Sequence, residues 1–499
     1  MRRCFSIIAA IVACFTLNAQ TPAQKYVELL KGSQELKDAV WGVYAVKMKG
    51  DTVACWNSGS RMLPASNTKV LTTGAVLSEL GADYRFRTRI AIDGKVDEGV
   101  LKGDVYILGG GDPTIGARDS ISFKPEETFG KWMDVLRAAG IRKVQGHVIG
   151  DGRFFDGEFE PLSWQFEDLG YDYAPGGDGL CFFENIQQIR ITPGLNAGDP
   201  VKVVPVYPLT PWVELRTPCV TAPAGTGNDL VYVATNMVPV AEMRGTIACD
   251  RKPTTHDGSN KFGSLTCAYY FYKYLADRGF VVTEGPADVD MSGQVRDFSP
   301  ETAPYRAQAV KDLKVIGESL SPTLGDIARK TNHDSDNFYA ETLLRILARE
   351  KTGSACYDSC SVARSRAFAR MGIDDSNVRI VDGSGLSREN YVSPEFFVSF
   401  LKAMRTSPAY DAFFASLPQP GRGTLTTRMA SAPASVRSRV HMKSGSMGGV
   451  RCFSGYIEPS TGKAEDTIVF SFLTNNTLVP VSRINFILDK LIALSAESN

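Results

Sequence analysis

Three short clusters hold the residue types that nucleophilic acyl chemistry needs. In Ser66-Asn67-Thr68-Lys69 a hydroxyl and an amine stand three positions apart, just after Pro64-Ala65. In a helix that spacing puts both on one face, so Ser66 Oγ and Lys69 Nζ can meet. A serine hydroxyl attacks poorly until a base takes its proton. A lysine held neutral by burial or by a neighbouring cation is such a base. A helix start at Ser66 also sets the positive end of the helix dipole where an oxyanion would develop. Ser335-Asp336-Asn337 precedes a helical run over 338–347. All three residues are good N-caps. They also offer a proton relay at Ser335 and an amide at Asn337 for binding substrate. Lys443-Ser444-Gly445-Ser446 lies on a strand that turns at Gly448-Gly449. There Lys443 would be a fixed positive charge that binds a substrate carboxylate and helps keep Lys69 deprotonated. Gly445 would let an extended substrate backbone approach the strand.

Taken singly, each cluster has an ordinary explanation: a chance Ser-x-x-Lys, a helix cap, a solvated lysine at a hairpin end. The elements around them give the set its weight. The spacing of Val70, Leu71, Leu77 and Leu80, with Gly81 as a stop, predicts a helix over 66–80. A helix is expected at 21–37, strands at 40–48 and 52–56 with the turn Lys49-Gly50-Asp51 between them, and strands at 440–443, 450–457 and 467–474 before a last helix at 481–494. Two N-terminal and three C-terminal strands make one five-stranded antiparallel sheet with flanking helices, an α+β catalytic domain built from 20–85 and 303–499. The stretch 86–302 reads as an inserted β-rich domain with a nested subdomain near 190–250.

The chain of 499 residues is 43% hydrophobic, with 55 basic and 55 acidic residues. That balance gives no support to nucleic-acid wrapping or to binding of anionic lipid, which favour a basic excess. The start, Met1-Arg2-Arg3 followed by an apolar run to Leu17 and then Ala19, has the form of a secretory signal peptide over 1–19. An exported, periplasmic protein with no transmembrane segment in its mature chain is expected. Ile11-Val12-Ala13-Cys14 resembles a lipoprotein box, but Phe15-Thr16-Leu17 continues the apolar run and argues against lipidation there. In an oxidising compartment Cys356 and Cys360 suggest one bridge, and Cys219, Cys249 and Cys267 another nearby, with buried thiols as the alternative. Four histidines, and no Cys-x-x-Cys pair, leave no metal site and no cofactor to propose.

The order and setting of the three clusters match a recognised acyl-transfer signature. With them go Leu101-Lys102-Gly103-Asp104-Val105-Tyr106-Ile107-Leu108-Gly109-Gly110-Gly111-Asp112-Pro113-Thr114, the run from Ser335 to Glu341, Asp382-Gly383-Ser384-Gly385-Leu386-Ser387-Arg388 and Ser454-Gly455-Tyr456. On these the chain resembles the penicillin-recognising serine acyl-transferases. More narrowly, it resembles the D-alanyl-D-alanine carboxypeptidase/endopeptidase family of low-molecular-mass penicillin-binding proteins. The resemblance implies a transpeptidase-like domain and Ser66 as acyl-accepting nucleophile, with Lys69 as its general base. It implies Ser335 as proton donor to the leaving amine, Asn337 as a grip on the peptide, and Lys443 and Ser444 as the carboxylate site. The N–H groups of Ser66 and Ser446 would form the oxyanion hole, and Arg388 would contact a substrate side chain or form a structural ion pair. Partners would be peptidoglycan stem peptides, and β-lactams as covalent inhibitors. A β-lactamase shares the clusters but is compact and needs a deacylating carboxylate, for which no Glu is evident. A silent scaffold with the same fold would not need all five of Ser66, Lys69, Ser335, Asn337 and Lys443.

Overall fold

A computed structural model describes residues 20–289 and 313–498, and the backbone of 295–296. The expected signal peptide, Cys14 and the expected junction at 302/303 lie outside the described residues.

Five strands form the central sheet: β1 (Val40–Lys47), β2 (Thr52–Trp56), β3 (Val440–Met447), β4 (Val450–Ile457) and β5 (Ile468–Asn475). Their order is β2-β1-β5-β4-β3, antiparallel throughout. The two ends of the chain therefore build one sheet, as expected. β5 reads Ile-Val-Phe-Ser-Phe-Leu-Thr-Asn and is buried along its whole length because helices cover both faces. Side chains alternate across a strand, so Ile468, Phe470 and Phe472 meet the terminal helices. Val469 and Leu473 face the opposite core, with Val70, Leu71, Leu343 and Phe400. Each such Leu or Phe contributes roughly 1.5–3 kcal/mol by leaving water.

Four helices matter for the site: α1 (Thr68–Leu80), α2 (Leu324–Asp334), α3 (Asn337–Thr352) and α4 (Tyr357–Arg370). The expected helix over 66–80 begins instead as a 3₁₀ turn, Ala65–Asn67, that becomes α-helical at Thr68. α2 starts at an N-cap, where Thr323 accepts from Asp326 N. It stops where Ser335 turns left-handed (φ 61°), and Asp336 then caps α3 by accepting from Tyr339 N at 2.9 Å. The break between α2 and α3 thus presents Ser335 and Asn337 side by side.

Between α1 and α2 the chain leaves this domain, and it returns only after Lys314–Leu320, a strand of the inserted sheet that the expected bounds assign to the catalytic domain. A six-stranded mixed sheet runs from Arg87–Ile92 to Lys314–Leu320, which pair with each other, and the helices Pro125–Ala138 and Gly263–Ala276 pack with it around Trp132, Phe129 and Phe271. Farther out, Ile186–Thr192, Lys202–Tyr207 and Thr254–Ser259 form a three-stranded sheet. It shares a small core around Ile189, Tyr232, Met243 and Ile247 with a four-stranded sheet between Glu214 and Ala248. The suggested disulfides do not form, and all eight cysteines of the described residues are free thiols. Cys219 and Cys267 are buried in two different cores. Cys360 sits in a third, its thiol directed at the Leu344 and Ala355 carbonyls rather than at Cys356. Among the described residues no helix is long and apolar enough to cross a membrane.

Candidate active site

The three clusters converge on one cleft of about 750 Å³, lined by Ser66, Ser335, Asn337, Ser444, Gly445 and Ser446 among others. Lys69 Nζ donates to Ser66 Oγ at 3.1 Å, to Asn337 Oδ1 at 2.5 Å and to the Ser384 carbonyl at 2.7 Å. Lys443 Nζ donates to Ser335 Oγ at 2.9 Å and to its neighbour's carbonyl, Ser444 O, at 2.7 Å. Both lysines are fully buried. All of their hydrogen-bond partners are neutral.

Tight backbone packing enforces this convergence. Ala65, just ahead of the serine, has φ 46°, a region costly for a residue with a side chain. A Cβ on Gly385 (φ +85°) would stand 1.9 Å from the Ala65 carbonyl, so the 382–388 loop presses directly on this turn. A Cβ on Gly445 would come within 2.6 Å of the Pro64 carbonyl and 3.0 Å of Asn67 N. Gly445 therefore makes room for the serine's own turn. Asn67 fastens the turn from below by donating to Ser454 Oγ at 2.8 Å.

Burial lowers the Lys69 amine from 10.5 to about 8, against the opposing pull of Asp382, Glu341 and Asp336. Burial also pushes Lys443 well below its ordinary value, and the charge of Lys69 pushes it further. Two buried amines compete for a proton in the cleft, and neither has a carboxylate partner among the described residues. His441 stacks on Phe414 at 4.1 Å between ring centroids, and burial lowers it to about 4, so it stays neutral.

The remaining expected residues take less central places. Ser444 Oγ lies 3.1 Å from Thr424 Oγ1. Arg388 lines the cleft and donates through Nε to Gln165 Oε1 at 2.6 Å, with the Asp168 carboxylate in its electrostatic reach. Sequence reasoning assigned no role to Glu341, Asp382 or Tyr173. Asp382 ties down its own loop by accepting from Gly385 N, Ser387 N and Asn390 Nδ2, and it accepts Trp164 Nε1 from the insertion at 3.1 Å. The Tyr173 carbonyl accepts Asn337 Nδ2 at 2.8 Å, so the insertion forms one wall of the cleft. One signal was legible: Glu341 follows Asn337 by four positions, which on a helix is the same face.

The sheet, the helices beside it and a serine–lysine pair at their junction define a penicillin-recognising, transpeptidase-like fold. The chain aligns over 96% of its length with a crystal structure of penicillin binding protein 4 (dacB) from Haemophilus influenzae, 98% of which is covered, with a TM-score of 0.77 at 21% identity. A second structure of that protein, complexed with a β-lactam, gives a TM-score of 0.72 at 20% identity, over 94% and 98% of the two chains. Residues 23–485 match the D-Ala-D-Ala carboxypeptidase 3 (S13) family, and the chain belongs to that family. It is 29% identical over 465 residues to a D-alanyl-D-alanine carboxypeptidase of Actinomadura sp. strain R39, covering 90% of this chain and 81% of that one. The protein is a serine-type D-Ala-D-Ala carboxypeptidase.

Proposed function

We propose that Ser66 takes the acyl group from a peptidoglycan stem peptide ending in D-Ala-D-Ala, with Lys69 as the base. Ser66 Oγ gives its proton to the neutral Lys69 amine and bonds to the carbonyl carbon of the penultimate D-alanine. The backbone N–H groups of Ser66 and Ser446 hold the oxyanion. The C–N bond then breaks as Ser335, in contact with Lys443, delivers its proton to the leaving amine while the proton taken up by Lys69 passes back to Ser335, which leaves Lys69 neutral again. Water, activated by the same lysine, cleaves the ester and frees Ser66. Asn337 holds the peptide, and Ser444 with Lys443 receives the terminal carboxylate. Arg388 contacts a substrate side chain from the rim. Loss of terminal D-alanine is the carboxypeptidase reaction, and the same steps on a D-alanyl–diamino-acid crosslink are the endopeptidase reaction. β-Lactams acylate Ser66, and the resulting ester is cleaved slowly. The N-terminal pattern supports export to the periplasm.

The observation that carries this reading is the Lys69 amine, buried without a carboxylate partner, 3.1 Å from Ser66 Oγ. Incubation with a fluorescent penicillin tests it. The wild type should label and Ser66→Ala should not, whereas equal labelling of both overturns the assignment. Release of D-alanine from a pentapeptide, against opening of a crosslinked dimer, separates the two activities.

A further inference from the structure

We infer that Glu341 is a positioning residue for the Lys69 amine: it clamps the Gly383–Ser384 turn whose carbonyl holds that amine beside Ser66, and it sets a carboxyl group behind it. The inference rests on the reading of Lys69 as base. Glu341 is 6% exposed. Its Oε1 accepts from Ser384 N at 2.7 Å and from Gly383 N at 3.0 Å. Its Oε2 accepts from Gly383 N at 3.0 Å and from the Tyr357 hydroxyl at 3.2 Å. One peptide unit away, Ser384 O accepts from Lys69 Nζ at 2.7 Å. Helix α3 therefore grips the lysine twice on one face, directly through Asn337 Oδ1 and indirectly through Glu341 and the turn. The turn has no slack to choose another geometry, since a Cβ on Gly383 would meet the Ala340 carbonyl at 2.6 Å.

A neutral acceptor would satisfy two backbone amides. A buried carboxylate there is costly unless its charge is used or compensated. The charged and titratable groups facing Glu341 come from every element around it. Asp382 comes from the loop, Lys69 from α1, Tyr357, Cys360 and Arg364 from α4, Arg345 from its own helix, and Asp178 from the insertion. Burial first and Asp382 second raise Glu341 to about 7, just below the value of about 8 for Lys69. Each group thus titrates in the range where the other must change charge. Ionised Glu341 favours the ammonium form of Lys69. A neutral side chain at 341 that still accepts the two amides favours the free amine at lower pH.

The pH dependence of the second-order rate of penicillin acylation tests this on the full chain. Glu341→Gln keeps an acceptor and removes the charge, so the acid limb of the profile should move down by about half a pH unit or more. Its plateau should stay within about tenfold of wild type. Glu341→Ala removes the acceptor as well and should lower the plateau by about 10²-fold. Tyr357→Phe weakens the ionised form of Glu341 without touching the turn and should move the limb the same way by less. It carries the test should the Gln variant fail to fold. An acid limb that coincides with wild type in both Glu341→Gln and Tyr357→Phe overturns the inference, as does an Ala variant with the wild-type profile. A wild type that is not acylated at all overturns the underlying reading as well, and shows it before any variant is made.

Discussion

Two buried lysine environments in this protein are built on opposite principles. Lys261, in the insertion, pairs with Glu160 at 2.9 Å and donates to the carbonyls of Ala174 and Pro175 at 3.0 Å each. Its charge is compensated, and its work is to hold the loop that brings the Tyr173 carbonyl to Asn337. Lys69 and Lys443 are as deeply buried, yet they bond only to hydroxyls, an amide and carbonyls. Their carboxylates stand behind the neutral partners: Glu341 and Asp382 shape the loop that touches Lys69 without touching the amine. Burial lowers both Lys261 and Lys69 below the ordinary lysine value, but a paired buried cation has a carboxylate in contact that favours keeping its proton, and it serves the fold. An unpaired one is ready to lose it and serves the chemistry.

The sharpest way to break this contrast is at the nucleophile. Ser66→Ala should lower D-alanine release by about 10⁴-fold or more and abolish covalent penicillin labelling, while leaving the melting temperature near that of wild type. Next come matched substitutions at the lysines. Lys69→Met should lose acylation by about 10³-fold while its stability to denaturant stays at or above wild type, because an uncompensated buried amine is removed. Lys261→Met should instead cost about 3–5 kcal/mol of stability, because it strands the Glu160 carboxylate in the interior. If Lys261→Met spared the fold and Lys69→Met unfolded it, the contrast would be reversed. The pH profile is a gentler probe. With Lys69 as the proposed base its active form is the unprotonated one, so acylation should rise about tenfold per pH unit on the acid side and level off above about 8. A plateau reached by pH 6 would contradict this. The smallest effect belongs to Arg388, exposed and held by one bond to Gln165. Arg388→Gln should change acylation by a simple β-lactam less than about threefold and act mainly on substrates with a charged side chain.

Much of the site was legible because its members are short local patterns. Ser66 and Lys69 share a helical face by spacing alone, and Ser335, Asp336 and Asn337 declared a helix start that the Asp336 cap confirms. The five-stranded sheet followed from strand-like runs at both ends of the chain, the first two joined by the turn Lys49-Gly50-Asp51, and β2 and β4 fall where they were expected. Other features escaped. The 3₁₀ turn at 65–67 escaped because its strain comes from Gly385 and Gly445 pressing on it, and both are distant in sequence. The cysteine bridges were misjudged because spacing says nothing of direction: Cys360 points into a core of helices, away from Cys356. The roles of Glu341 and Asp382 needed a loop and a helix to be brought together before either carboxyl had anything to hold.

The order of residues alone determined which groups could do chemistry here and which elements would carry them, since helical and strand periodicities, caps and turns are properties of neighbours. Tertiary structure alone decided that two amines would lie in the interior with no anion against them, and that the insertion would close one side of the cleft. Proton affinity depends on what surrounds a group in space, and for Lys69 those surroundings come from four separate stretches of the chain.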